Sequence, residues 1–309
     1  MEAMTDLQPT PKRPFLTNTF FSPNEPRLRA GWRLAIHTIG YNLLLICIAL
    51  PLSIPILFLG VSPENLLLNQ AIALFAIAPS VFLARHFLDK RSLTSLGLKL
   101  DIWLPLDVLA GILIAFLMMG LIYLIEWWLG WSSFEGFAWQ TDAASKVILN
   151  TLLYLGIFIL VGWNEELLFR GYRLQNLSDG LNPIWGVLLS SLWFGIAHLA
   201  NPNTEAKLFV AGGIFLAGVF LAYGYLATKQ LWLPIGLHIS WNFFEGVGFG
   251  FPVSGLDIYH LTRITVSGPE LWTGGAFGPE AGLVLLPGLL LGTTFIYIYA
   301  RFIRKPNTD

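Results

Sequence analysis

Long apolar segments constrain this chain more than any other feature of its sequence. A helix needs about 20 apolar residues to cross a bilayer. Eight segments come close to or exceed that length, at residues 32–60, 69–87, 103–130, 145–177, 183–200, 207–228, 232–249 and 280–303. Charged residues make up 12% of the chain, against about 25% in a soluble domain. The pattern predicts an all-α protein, a polytopic membrane helix bundle of about eight transmembrane helices.

The distribution of Lys and Arg predicts the orientation of the bundle, because cytoplasmic loops carry an excess of these residues. With the N-terminus inside, fifteen basic residues fall on the inner side, Arg170 and Arg173 among them. The outer side holds three, namely Lys146, Lys207 and Arg263. We therefore expect both termini to be cytoplasmic.

Composition also limits the domains and the partners. Residues 1–28 are polar and rich in proline, and we expect them to form a flexible cytoplasmic tail. Residues 29–309 are expected to form a single transmembrane helical domain in contact with the lipid bilayer. The formal net charge of −1 argues against nucleic acid as a partner, because no basic patch could neutralise several phosphates. The single cysteine, Cys47, excludes a disulfide framework.

Two glutamates lie where a bilayer disfavours charge. Glu165 and Glu166 follow a long apolar stretch, and ionisable residues inside a membrane usually have a function. Glu166 and Arg170 are four residues apart, so on a helix they share a face and can pair. Glu165 points roughly 100° away and is free to face a cavity. The alternative is that both glutamates mark the point where the helix leaves the membrane.

Further polar residues lie within or at the ends of later apolar segments. His198 ends the run SSLWFGIAH, where a lone histidine is as often structural as functional. His238 and Asn242 are four residues apart and project from one helix face. Unpaired polar groups are costly in an apolar span, so these two either pair with other helices or meet a substrate. Glu245, about one turn beyond Asn242, is a reserve candidate.

These residue types suit the hydrolysis of an amide bond. A carboxylate and a histidine can activate a water molecule, and a histidine with an asparagine can donate hydrogen bonds to an oxyanion. Alternatively, Glu165, His198 and His238 are adequate ligands for a catalytic zinc, so a cofactor is not certain and zinc stays an alternative. The chain has no HExxH zinc motif and no serine in a GxSxG elbow.

Three motifs, EExxxR, FxxxH and HxxxN, occur in this order near membrane segments. Together they resemble the CPBP family of intramembrane peptidases. That family includes the type II CAAX prenyl proteases and bacterial relatives linked to bacteriocin processing and self-immunity. The similarity extends from about residue 145 to residue 246, and its specificity comes from the three motifs together, with EELLFRG intact.

The resemblance implies an all-helical membrane fold and an intramembrane endopeptidase of the metallo or glutamate type. It implies two pairs of catalytic residues, Glu165 with His198 to activate the water and His238 with Asn242 to stabilise the oxyanion. It also implies three supporting residues, Glu166, Arg170 and Phe194. The expected substrate is a peptide or protein that is membrane-associated or CAAX-like, with or without an attached lipid. The expected location is a bacterial plasma membrane.

A second class of function stays open. A non-catalytic immunity or scaffold protein, or a proton-coupled transporter, would use the same polar pocket, because intramembrane carboxylates and histidines also form proton relays. Against transport, the sequence has no inverted repeat. The depth of the pocket is ambiguous: Glu165 and His198 lie equally far from the turn at 179–182, whereas His238 follows Pro234 closely at the start of its segment.

Overall fold

The apolar segments form helices, because a helix satisfies its own backbone hydrogen bonds in a medium without water. The structure is a computed structural model, and it describes residues 14–304 apart from residues 24, 59, 61, 63 and 64. Residues 1–13 of the expected tail lie outside the described residues. In the described part, the first six helices are α1 (Phe15–Phe20), α2 (Ala30–Phe58), α3 (Leu66–Leu83), α4 (Trp103–Trp128), α5 (Ala144–Glu166) and α6 (Leu174–Gly180). The others are α7 (Pro183–Ala197), α8 (Lys207–Thr228), α9 (Trp232–Asn242), α10 (Glu270–Thr273) and α11 (Leu285–Ile298).

Several helices continue through a π-helical segment, in which the backbone is wound more widely than in an α-helix. These segments are Ala84–Leu88 after α3, Leu167–Arg173 between α5 and α6, Phe243–Gly248 after α9 and Tyr299–Ile303 after α11. As a result, α5, its π-helical segment and α6 form one continuous helix of 37 residues.

Seven helices in the described part of the chain are long and apolar enough to cross a membrane. The eighth expected segment, 232–249, forms α9 and its π-helical extension, which together are shorter. This segment packs against α4, α5 and α8, and residues 233–238 are all buried. The outer faces of the long helices expose apolar side chains such as Leu109, Leu149 and Leu290. The all-α, polytopic architecture is therefore confirmed, with α9 as a central helix.

Two short strands identify one end of the bundle. Strand β1 (Ser132–Phe137) follows α4, strand β2 (Thr262–Val266) follows α9, and the two pair antiparallel with an irregularity between Phe134 and Gly136. The loop after α7 contacts the same end, because Asn201 donates a hydrogen bond to the carbonyl oxygen of Ser254. We call this end the sheet face.

The opposite end of the bundle carries the loop between α3 and α4, and we call it the loop face. The turn between α8 and α9 joins this loop through a hydrogen bond from the Leu231 amide to the Gly97 carbonyl. Arg304 also lies here, paired with Asp107 at the start of α4. Two residues counted above with the inner loops, Arg170 and Arg173, are instead buried inside the bundle.

Residues 14–28 of the expected tail contact the loop face. Arg27 is buried and lies 3.2 Å from Asp179 at the end of α6. Next to it, Arg33 lies 2.7 Å and Arg85 2.9 Å from the buried carboxylate of Asp89. These ion pairs connect the start of α2, the end of α3 and the end of α6.

Close helix crossings fix the polar residues of the bundle. On α7, a Cβ at Gly195 would lie 2.5 Å from the carbonyl oxygen of Ala211 on α8, three residues before His198. On α5, a Cβ at Gly162 would lie 2.6 Å from the Ile239 side chain on α9, three residues before Glu165. Small residues allow such contacts between membrane helices, so both crossings set the position of the residue that follows.

We expect Gly195→Ala to destabilise the bundle by about 1–3 kcal/mol, because the added methyl group overlaps a backbone atom that cannot move aside. Gly212→Ala, at the residue next to Ala211 on α8, is the matched control, since nothing lies within 4 Å of its added Cβ. Thermal unfolding in detergent measures the difference. Equal unfolding temperatures for the two variants would contradict the close α7–α8 crossing.

Candidate active site

Four of the polar residues singled out in the sequence come together around one cavity. Glu165 lies in the last turn of α5, His198 directly follows α7, and His238 and Asn242 lie on the central helix α9. All four line a cavity of about 210 Å³ whose other walls are mainly apolar. The space is sufficient for several water molecules, each of which occupies about 30 Å³ in the liquid.

The helices that carry His198 and His238 begin at different distances from these residues. At 1.5 Å per residue, α9 begins about 9 Å from His238, whereas α7 begins about 22 Å from His198. The hairpin formed by α6 and α7 therefore extends well beyond the start of α9. The ambiguity in the sequence arises only if α7 and α9 begin at the same distance from the loop face.

Glu165 is the point on which both histidines converge. Its Oε2 atom lies 3.8 Å from Nε2 of His198 and 3.7 Å from Nε2 of His238. This oxygen is buried and has no hydrogen-bond partner among the described residues. A carboxylate oxygen and two imidazole nitrogens thus face one another at distances that leave room for a hydrogen-bonded molecule to bridge them.

His198 is oriented by the helix that precedes it. Its Nδ1 atom lies 2.9 Å from the carbonyl oxygen of Phe194, one turn back on α7. When Nδ1 donates to this carbonyl, the neutral ring presents an unprotonated Nε2 to Glu165. The Phe194 ring packs edge-on against the imidazole, with ring centroids 4.5 Å apart. Phe194 therefore supports His198 through both its backbone and its side chain.

Glu166 is fully buried and holds two other residues of the site. Its Oε1 atom accepts a hydrogen bond from Arg170 at 2.8 Å, so the predicted pair is present. The same oxygen lies 2.7 Å from Nδ1 of His238. Arg170 also donates to the carbonyl oxygen of Gly218 on α8 and packs its guanidinium over the Phe194 ring. One buried carboxylate thus orients His238 and links α5, α8 and α9.

The contact between Glu166 and His238 was not anticipated from the sequence. The two residues are 72 positions apart, and no local spacing rule connects them. The sequence had assigned Glu166 only to Arg170. In the structure it is also the residue that orients His238.

Asn242 lies one turn beyond His238 and faces the same cavity. Within the part of the chain that the structure describes, its side chain makes no hydrogen bond, so its amide group is free to donate to a bound molecule. Trp241, Ser254 and Glu280 also line this cavity. Sequence reasoning did not select these three, because none of them is a fixed position of the three motifs.

The arrangement gives no support to the zinc alternative. Among the described residues, no group of three or more His, Cys, Asp or Glu side chains is placed to hold a metal ion.

Comparisons with known proteins indicate one family. The family model described as type II CAAX prenyl endopeptidase Rce1-like matches residues 147–244, a range that contains Glu165, His198, His238 and Asn242. No solved structure gives a significant match.

Three bacterial proteins are similar to this chain. "Putative membrane peptidase YdiL" of Bacillus subtilis is 30% identical over 205 residues, which are 64% of this chain and 80% of that protein. "Uncharacterized protein YyaK" of the same organism is 30% identical over 185 residues, 58% of this chain and 60% of that protein. An "Uncharacterized 24.3 kDa protein" of Escherichia coli is 36% identical over 100 residues, 31% of this chain and 44% of that protein.

The two glutamates are expected to differ in their effect on stability. Glu166→Ala leaves Arg170 and His238 without their shared acceptor, and breaking a buried ion pair costs about 3–5 kcal/mol. Glu165→Ala removes a carboxylate whose Oε2 has no partner and should cost less. Thermal unfolding of both variants in detergent tests this order. If Glu165→Ala proved the more damaging, the assignment of Glu166 as the supporting carboxylate would be wrong.

Proposed function

Since the chain belongs to the Rce1-like family of type II CAAX prenyl endopeptidases, we propose that it is an intramembrane endopeptidase. It hydrolyses a peptide bond in a membrane-associated or CAAX-like substrate, with or without an attached lipid. The observation that carries the proposal is the convergence of Glu165, His198 and His238 within one mainly apolar cavity.

Water activation is assigned to Glu165 and His198. A water molecule between Oε2 of Glu165 and Nε2 of His198 gives a proton to the carboxylate while its oxygen attacks the carbonyl carbon of the substrate. The bond to the leaving nitrogen then breaks, and this nitrogen receives the proton that the carboxylate took up. The products are a carboxylic acid and an amine, and Glu165 returns to its starting state.

Oxyanion stabilisation is assigned to His238 and Asn242. The attack places negative charge on the carbonyl oxygen, and preorganised donors at that position lower the barrier. Asn242 donates through its free amide group. His238 donates through Nε2 when this atom is protonated, and the Glu166 carboxylate against Nδ1 favours that cationic ring. Arg170 balances the charge of Glu166, so the supporting pair adds no net charge to the cavity.

Cleavage should depend on these residues without a matching loss of stability. We expect Glu165→Gln and His198→Ala to lower kcat/KM by about 100-fold to 10,000-fold, as for loss of a general base. Asn242→Ala should lower it by about 100-fold to 1,000-fold. Purified protein in detergent is incubated with a library of apolar peptides, and products are identified by mass spectrometry.

Glu205 is exposed on the sheet face, so Glu205→Gln is the matched control. This variant should cleave the peptides as the wild-type protein does. Unfolding temperatures separate lost chemistry from lost structure. Undiminished cleavage by Glu165→Gln would refute the proposed mechanism. The absence of cleavage by wild-type protein, together with substrate uptake into vesicles driven by a proton gradient, would favour the transporter alternative.

The protein is a multi-pass integral membrane protein, and its relatives indicate a bacterial source. For its orientation we propose that the loop face is cytoplasmic. Among the described residues, the sheet face carries few basic residues, including Lys146 and Arg263, whereas Lys90, Arg91 and Lys99 lie in the loop between α3 and α4 on the loop face. Cytoplasmic loops of membrane proteins are enriched in such residues.

A cysteine-labelling experiment tests the orientation. In a Cys47→Ala background, Glu205→Cys on the sheet face should react with a membrane-impermeant maleimide in intact cells. Thr94→Cys on the loop face should react only after permeabilisation. Both positions are exposed, so accessibility to the reagent depends on the side of the membrane. The reverse pattern of labelling would invert the proposed topology.

A further inference from the structure

The cavity also has polar residues besides the two histidines, Glu165 and Asn242. Glu280 lines the same cavity as Glu165 and lies beyond residues 147–244, which the family model matches. Its carboxylate is held by two donors that also line the cavity. Trp241 Nε1 donates to Oε1 at 3.1 Å, and Ser254 Oγ donates to Oε2 at 2.5 Å. The carboxylate is therefore fixed in place before any ligand arrives.

A second carboxylate lies behind the first. Glu245 is fully buried, and neither of its oxygens has a hydrogen-bond partner in the described part of the chain. It lies one turn beyond Trp241 and close enough to Glu280 for the two to interact electrostatically. Its Oε1 atom also lies 3.4 Å from the place a Cβ would occupy at Gly278, in the loop that carries Glu280.

These two carboxylates lack a positive partner. Within the described residues, no ion pair includes Glu245 or Glu280. Each carboxylate oxygen can accept about two hydrogen bonds, so most of their acceptor capacity is unused. Of the two residues, Glu280 lines the cavity, so a cationic group that enters the cavity would pair with the Glu280 carboxylate.

We propose that Glu280, fixed by Trp241 and Ser254 and backed by Glu245, is a subsite for a lysine or arginine side chain of the substrate. The proposal rests on the peptidase function given above and adds a preference for a basic residue near the cleaved bond. A lysine ammonium or an arginine guanidinium supplies only donors and a positive charge, which complements a wall of carboxylate acceptors.

The geometry of α9 gives the position of that basic residue. Glu245 lies seven residues beyond His238 and three beyond Asn242, in the π-helical extension of α9. At 1.5 Å per residue these separations are about 10 Å and 5 Å. An extended peptide advances about 3.3 Å per residue. The basic residue is therefore two or three positions from the bond that is hydrolysed.

The same wall should reject acidic residues. A carboxylate on the substrate would face Glu280 in a mainly apolar cavity, where like charges repel more strongly than in water. Specificity then arises from attraction to one class of side chain and repulsion of another.

The test uses one peptide that wild-type protein cleaves, synthesised with lysine, norleucine or glutamate two or three positions from the cleaved bond on either side. At one of these positions we expect kcat/KM to be at least about tenfold higher for the lysine peptide than for the norleucine peptide, which corresponds to about 1.4 kcal/mol. The glutamate peptide should have the lowest kcat/KM of the three. In Glu280→Gln the ratio of lysine to norleucine should fall towards one.

Glu270→Gln is the matched control, because Glu270 is an exposed acidic residue near the same loop and does not line the cavity. It should keep the wild-type ratio. If Glu280→Gln lowers cleavage of all three peptides equally, Glu280 is only structural and the proposal is wrong. Lack of a lysine preference in wild-type protein at all four positions would also overturn it.

A binding measurement separates this proposal from the proposed function. Purified Glu165→Gln is titrated with two fluorescent peptides of leucine and alanine that differ in one central residue, lysine or norleucine. Tighter binding of the lysine peptide by at least about tenfold, lost when Glu280→Gln is added, supports the subsite even if wild-type protein cleaves nothing. Equal affinities refute the subsite even if the protein is a peptidase.

Discussion

The shared carboxylate of Glu166 is the interaction on which the rest of the site depends. A fully buried charge in a membrane domain is tolerated only when it is paired and hydrogen-bonded, and Arg170 and His238 supply both conditions on one oxygen. Arg170 in turn packs over Phe194, whose backbone and ring position His198. One ion pair therefore places both histidines relative to Glu165.

The bundle concentrates polar chemistry in a small part of an otherwise apolar interior. Close crossings at glycine bring α5 against α9 and α7 against α8, so the polar residues meet where backbones are nearest. The cavity between these helices is lined by Glu165, the two histidines, Ser254 and Glu280. A peptide bound in this cavity would contact both the proposed catalytic residues and Glu280, which relates the proposed chemistry to the proposed preference for a basic residue.

Much of the fold could be predicted because it depends on local properties of the chain. Runs of apolar residues form helices wherever lipid replaces water, and the pairing of Glu166 with Arg170 follows from their spacing on a helix. The same reasoning was wrong about Arg170 and Arg173, which it placed with the inner loops. A count of charges along a sequence cannot distinguish a residue at the membrane surface from one buried between helices.

The sequence by itself determined the class of fold, the identity of the polar residues and the ion pair within one helix turn. Only the tertiary structure decided that Glu166 also contacts His238 and that Glu280 lines the cavity. It also decided that α9 is a central helix, whose start lies closer to the site than the α6–α7 turn does. The physical reason is distance along the chain. Helix formation and one-turn contacts follow from neighbouring residues, whereas a contact across 72 positions exists only once the helices have packed.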